Sequence, residues 1–265
     1  MKISVYILVS LSILMGCTYS GNQVDDKKVQ TDKVLNDYFV NATLYNFFTA
    51  EYKALSYQAF NSASTYLELV KLKNPGRKDL AIVLDIDETL LDNSPYQAKL
   101  YEINGSYDTL WNTWCDLACA KPLPGSVEFL QFADSMGFNI FYITNRKMKF
   151  VYESTLKNMS EAGFPQVDSL HLILRTESNS KEKRRMKVAE TNEIIMFVGD
   201  NIGDFYEDTR DYNSRDSAVI SHKSEFGRNL IVLPNAMYGN WVESLGIETQ
   251  SDIDSLISRM TKPFN

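Results

Sequence analysis

For its 265 residues the chain holds little cysteine, histidine or proline: three, two and seven residues respectively. So few cysteines cannot build a structural zinc site. Cys115 and Cys119 stand four residues apart. On one continuous helix their Cβ vectors suit a disulfide poorly, so two small buried thiols are expected, although an oxidising compartment would permit a bridge. A surplus of positive charge is also missing. The formal net charge is −7 at pH 7, which argues against a nucleic-acid scaffold, because phosphate backbones are held by basic stripes. Small phosphate-bearing substrates are not excluded, since a metal ion and a few local cations can outweigh the global field. There is no internal repeat. What is present is enough hydrophobic residue, 44%, for the core of one full α/β domain with a helical appendage.

Lys2 precedes an apolar run from Ile3 to Met15 that is too short to cross a membrane as a stable helix, and reads as a targeting segment. Leu14-Met15-Gly16-Cys17 resembles a bacterial lipobox, with Met15 in place of the commoner small residue. That resemblance implies a lipoprotein signal peptide over residues 1–16 and acylation of Cys17. It also implies a lipid anchor in the bacterial cell envelope, at the outer membrane. A plain signal peptide cleaved elsewhere is the alternative. Polar residues 17–31 suit a tether, and residues 32–265 form the folded body.

From Asp32 to Asn74 there is neither proline nor glycine. Leu35, Phe39, Ala42, Tyr45, Tyr52, Leu55, Ala59, Ala63, Tyr66 and Leu67 recur at three- and four-residue steps, which predicts two consecutive helices as a lead-in over 32–74. Asn74-Pro75-Gly76 stops them. Strands are expected at Leu80–Leu84, Phe138–Ile143, Leu170–Leu174, Ile194–Val198 and Leu230–Leu233. Helices are expected from a Ser126 cap through Met136, over Lys149–Ala162 and over Ile253–Met260. That alternation predicts a doubly wound parallel sheet, with its crevice at the carboxyl ends of the strands. Residues 92–124 lack strong periodicity but carry Tyr96, Tyr101, Tyr107, Trp111 and Trp114. They read as an insertion roofing that crevice.

The first strand ends in Asp85-Ile86-Asp87-Glu88-Thr89. Alternate residues of an extended chain share a face, so one carboxylate can attack a substrate while the other works on the far side of the reacting atom. A solvated acidic turn or a calcium loop is the bland alternative. The five-residue string resembles the first motif of the haloacid-dehalogenase-like (HAD) phosphotransferases. The longer run through Tyr96 looks like the class C (DDDD) acid phosphatases of that superfamily, and the likeness extends from about Ala50 to Trp241. It includes Gly199-Asp200-Asn201-Ile202-Gly203-Asp204, which is similar to the family's closing motif. It also includes Ser180-Lys181 with Arg184, similar to its third motif, and a segment from Leu233 to Gly239 around Tyr238.

The resemblance implies a HAD-like Rossmannoid core, an inserted cap and a homodimer. It also implies a magnesium-dependent acid phosphatase acting on phosphomonoesters, with nucleoside monophosphates (5′-nucleotidase type) as substrates. In-line attack at phosphorus needs an oxygen nucleophile, here Asp85, forming an aspartyl-phosphate. It also needs an acid for the leaving oxygen, here Asp87. Mg2+ would relieve the repulsion between carboxylate and phosphate. Asp85 and Asp200 are the side-chain ligands, with the Asp87 backbone carbonyl implied as a third. Asp204 either holds a metal-bound water or caps a helix. Thr144 would donate to a phosphoryl oxygen, with Asn145 or Arg146 adding donors. Lys181 would complete neutralisation, although Lys183, Arg184 and Arg185 crowd the same segment, and a charge run is usually a solvated face. Trp111 and Tyr238 are candidates to stack on a base, with Trp114 and Tyr96 in reserve, against core packing for each. His171 and His222 lie outside an RHGxRxP context, which argues against a phosphohistidine route. Two alternatives stand: a broad acid phosphatase without nucleotide preference, and a non-catalytic surface binding or storage protein on the same fold. The second is disfavoured by the joint presence of Asp85, Asp87, Asp200 and Lys181.

Overall fold

The structure, a computed structural model, describes residues 39–106, 108–207, 211–247 and 249–264. The signal peptide, Cys17 and the tether lie outside them. No helix among the described residues is long and apolar enough to cross a membrane.

Five parallel strands form the central sheet: β1 (Leu80–Leu84), β4 (Asn139–Lys147), β5 (Leu172–Arg175), β6 (Glu193–Gly199) and β7 (Leu230–Val232). They lie in the order β5-β4-β1-β6-β7, so the expected doubly wound α/β fold is present. β1 sits in the middle because both of its faces are apolar. Leu80, Ile82 and Leu84 pack into the larger core with Phe60, Leu67 and Phe129. Ala81 and Val83 pack on the opposite face with Phe141, Ile143 and Val188. A strand buried on both sides reads as a continuous hydrophobic run, and this one does. Chain order reverses around β1, which opens a crevice beyond the strand ends. The register pairs Leu84 with Tyr142 on one side and with Val198 on the other. Asp85 and Asp200 therefore leave the sheet at nearly one level, beside Thr144 of β4.

Residues 39–48 are helical and Thr49 breaks the run. Thr49 has extended backbone angles, and its hydroxyl accepts from the Tyr52 amide at the start of the helix Ala50–Lys73. Two consecutive helices are thus observed over the described part of the lead-in. The longer one buries Tyr52, Ser56, Phe60, Ala63, Leu67 and Val70, a stripe that recurs at helical spacing. Phe60 stacks on Phe129 with ring centroids 5.5 Å apart, fastening this helix to the helix Ser126–Ser135. Tyr45 and Leu55, expected on the apolar face, are exposed instead, because the buried stripe is set by contact with the sheet rather than by apolar residues alone.

Three local expectations need correction. Ser126 does not cap its helix: Gly125, at φ 86°, holds the cap position, and the Ser126 hydroxyl bonds to the Leu123 carbonyl. β4 does not stop at Ile143 but runs to Lys147. Of the two thiols expected to be buried, Cys115 is buried but Cys119 is exposed, and both are free. Burial pushes the Cys115 thiol up to about 12.

Between β1 and the helix Ser126–Ser135 the chain leaves the core through β2 (Leu91–Asp92) and returns through the antiparallel β3 (Lys121–Pro122). This two-strand stem carries two short helices, Ser94–Ile103 and Trp111–Asp116. Pro95 lies in the first turn of the former, where its missing N–H costs no hydrogen bond.

Candidate active site

Two groups of side chains meet beyond the strand ends. In the first, carboxylate oxygens of Asp85, Asp200 and Asp204 lie within 4.8 Å of one another. Lys181, itself buried, donates to Asp85 and forms an ion pair of 2.7 Å with Asp204. Asp85 follows β1, and its amide bonds to the Val198 carbonyl of β6. Asp200 follows β6. Its oxygens accept from the Thr89 hydroxyl at 3.1 Å and the Asn235 amide at 2.9 Å. Asp204 ends a 3₁₀ turn, Ile202–Asp204. There Asn201 holds the cap position, and Asp204 reaches back to the Asn201 amide at 3.0 Å, completing a capping box. Asp204 is therefore not the cap residue but its reciprocal partner. Gly199 makes room for it, since a Cβ at position 199 would lie 2.6 Å from the Asp204 Cβ.

Three anionic groups against one lysine leave an imbalance. Burial pushes the Asp85 carboxyl well above the usual range, with Lys181 opposing and Asp204, Asp200 and Asp87 adding to the rise. Burial, followed by the neighbouring Asp204 charge, pushes Asp200 up to about 7. Lys181 responds in the complementary direction. Burial alone would lower it, but Asp204 and Asp85 hold it above its ordinary value. An oxygen-only donor set that resists its own ionisation is what a hard divalent cation relieves, so the three carboxylates can hold a metal.

The second group surrounds Asp87. Arg146 grips its carboxylate through Nε and Nη2, the shortest contact being 2.7 Å. The Asn93 amide adds a bond of 2.9 Å, and the Thr144 hydroxyl one of 3.5 Å. Burial would lower the Arg146 guanidinium, yet Asp87 more than offsets that and holds it above its ordinary value. Arg146 also donates to Thr155, and its guanidinium lies 5.7 Å from the Trp111 ring. Trp111 in turn meets Tyr96 edge to face at 5.0 Å.

Arg146, expected as a phosphate donor, has no exposed side-chain surface here and is committed to Asp87. The extension of β4 is the reason. Residues 144 and 146 share a strand face turned inward, whereas Asn145 between them is exposed. Asn145 accepts from Arg184 at 2.6 Å, and Arg184 also donates to the Thr144 carbonyl.

The crowded cationic segment separates cleanly. Lys181 enters the carboxylate cluster and Arg184 crosses the end of β4. Arg185 pins the Asp204 carbonyl at 2.6 Å, and Lys183 is exposed. Tyr238 is half-buried, and its carbonyl accepts from Trp241. Its segment is anchored next to the site through the Asn235 bond to Asp200 and through Met237, which lies against Ser94. Glu88, Thr89, Asn93 and Asn235 were not singled out from the sequence. For three of them a signal existed, since they lie within eight residues of Asp85; Asn235 had none. Glu88 is wholly buried, and burial followed by Asp87 and Asp200 pushes its carboxyl well above the usual range.

A parallel α/β sheet with acidic side chains converging from two strand ends defines a class in which chemistry sits on the strand termini. Comparison with known proteins narrows it. The sequence pattern of the HAD superfamily, subfamily IIIB (Acid phosphatase), matches residues 3–241. A class C acid phosphatase from Bacillus anthracis superposes with a TM-score of 0.78 at 38% identity, covering 86% of this chain and 97% of the other. Its tungstate-bound structure gives 0.79 at 36% identity, with the same coverage. "Acid phosphatase 1" of Solanum lycopersicum is 29% identical over 58% of this chain. The "Stem 31 kDa glycoprotein" of Glycine max is 26% identical over 62%. The chain spans 62% and 63% of the length of these two plant relatives. It belongs to the acid phosphatase family of the HAD superfamily, subfamily IIIB.

Proposed function

We propose that the chain is a magnesium-dependent acid phosphatase that hydrolyses small phosphomonoesters, nucleoside monophosphates among them, through an aspartyl-phosphate on Asp85. One observation carries the reading: Asp85 stands between a buried lysine and two further carboxylates, at the end of the central strand. An Asp85 oxygen attacks phosphorus, the bond to the leaving oxygen breaks, and that oxygen takes its electron pair and a proton from Asp87. Asp87 then draws a proton from the water that releases phosphate. Lys181 offsets the charge gathering around Asp85. Thr144 and the exposed Asn145 would donate to the phosphoryl oxygens. Bound Mg2+, held by Asp85 and Asp200 with Asp204 beside them, would supply charge neutralisation and polarise the phosphoryl group. The tungstate bound by the Bacillus anthracis relative, an oxyanion, supports phosphate as the recognised group. Trp111, beside Arg146 and Tyr96, and Tyr238, in the segment that Asn235 anchors to Asp200, would offer faces for a nucleobase. The same reading carries a lipid-anchored outer-membrane protein, acylated at Cys17 and working as a homodimer.

The test is turnover of a nucleoside monophosphate and of a sugar phosphate, with Mg2+ and with chelator. Asp85→Asn is expected to lower kcat by about 10³-fold or more on both. Retention of wild-type turnover by Asp85→Asn would overturn the assignment. Trp111→Ala and Tyr238→Ala are expected to erode the nucleotide preference. Unchanged preference in both would leave a broad acid phosphatase.

A further inference from the structure

Asn93 occupies the cap position of the helix Ser94–Ile103, where an asparagine side chain ordinarily accepts from the first-turn amides. It makes no such bond; the Ser94 amide is met by Asp92 instead, at 2.8 Å. The Asn93 side chain turns inward and is wholly buried. Its amide nitrogen donates to Asp87 at 2.9 Å and to Glu88 at 3.2 Å, and its oxygen accepts from the Trp114 indole at 2.7 Å. Its backbone N–H donates to the second Glu88 oxygen at 2.8 Å. An indole N–H can only donate, and the carboxyl oxygens facing the other end accept, so the amide has one sensible orientation. Glu88 reaches it only by adopting φ 58°, a conformation disfavoured for a residue with a Cβ. A forgone cap and a strained neighbour both serve the same contact.

We propose that Asn93 is a positioning residue, aiming Asp87 at the leaving oxygen and tying that aim to the inserted helix through Trp114. The inference rests on the reading of Asp87 as proton donor. Trp114 lies on the inserted helix Trp111–Asp116, so a substrate that seats this helix also sets the Asn93 amide, and with it the second Asp87 oxygen. That oxygen is held by the longer bonds from Thr144 at 3.5 Å and Arg146 Nε at 3.2 Å. The inserted helix thereby helps complete the proton-transfer geometry.

The experiment compares an alkyl phosphate, whose leaving oxygen needs a proton, with 4-nitrophenyl phosphate, whose leaving group needs it far less. Asn93→Ala and Asn93→Asp are expected to lower kcat on the alkyl ester roughly tenfold more than on the aryl ester. Trp114→Phe keeps an aromatic side chain while losing the five-membered ring and its N–H donor; it is expected to shift the same ratio roughly fivefold. Equal losses on both esters in the soluble variants would overturn the proposal. Should the Asn93 variants fail to fold, Trp114→Phe decides alone, and an unchanged ratio there overturns it. A wild-type protein that turns over neither ester sinks the phosphatase reading itself, a result separate from any change in ratio.

Discussion

The two halves of the site are built on opposite electrostatic principles. Around Asp85 three carboxylates share a single lysine, and burial drives Asp85 and Asp200 toward their protonated forms. Around Asp87 the charges are matched: one carboxylate meets one guanidinium, with Asn93 and Thr144 filling the remaining positions. The first half carries negative charge that its lysine does not match and that a cation could balance, whereas the charge of the second is matched within the protein. A group that binds a metal must retain unmet charge; a group that transfers a proton must be held still.

Removing the cation from each half should separate them most sharply. Arg146→Met leaves Asp87 without its buried partner and is expected to cost about 3–5 kcal/mol of stability, measured by denaturant unfolding. Lys181→Met should cost a similar amount in chelator. Added Mg2+ should recover much of the Lys181→Met loss and little of the Arg146→Met loss. Equal recovery in both would erase the distinction between the halves.

A smaller effect follows from pH. Asp200 is raised from 3.8 to about 7. Between those values the folded chain keeps a proton that the unfolded chain has released, so this group's stabilising contribution is complete below 3.8 and is lost as pH rises toward 7. Asp85 is displaced in the same direction. In chelator, wild type should therefore lose stability relative to Asp200→Asn as pH climbs through this window, and Mg2+ should flatten the difference. Parallel stability curves for the two proteins would contradict the unmet charge.

The smallest change concerns Gly199. Alanine there crowds the Asp204 side chain, and displacing this neighbour of the metal ligands is expected to weaken Mg2+ affinity roughly 10–100-fold, read by calorimetry. An unaltered affinity would remove Asp204 from the metal half.

Much of this was legible from the chain alone, though unevenly. β1 has the predicted bounds because its five apolar residues are buried on both faces and admit one reading. Asp85 and Asp87 follow from that strand. Arg146 is legible as a functional residue, but its ion pair with Asp87 is not. Where β4 ends decides which way residue 146 points, and strand ends are set by neighbouring strands. Asn235 donates to Asp200 from 35 residues away, and no local pattern foretells a contact across that separation. Ser126 illustrates the same limit on a small scale. Its residue type suits a cap, yet Gly125, able to take a positive φ, wins the position.

By itself the sequence determined the alternation of strands and helices, the placement of acidic residues after β1 and β6, and the family, because hydrophobic period and short spacings are local properties of a chain. Only the tertiary structure decided that Lys181, rather than its cationic neighbours, enters the Asp85 cluster. It alone decided that Arg146 belongs to Asp87, and that the Asn93 side chain turns from its helix to bond Asp87, Glu88 and Trp114. Those outcomes depend on which side chains become buried together, where each donor must find an acceptor, and that pairing is settled between elements rather than within them.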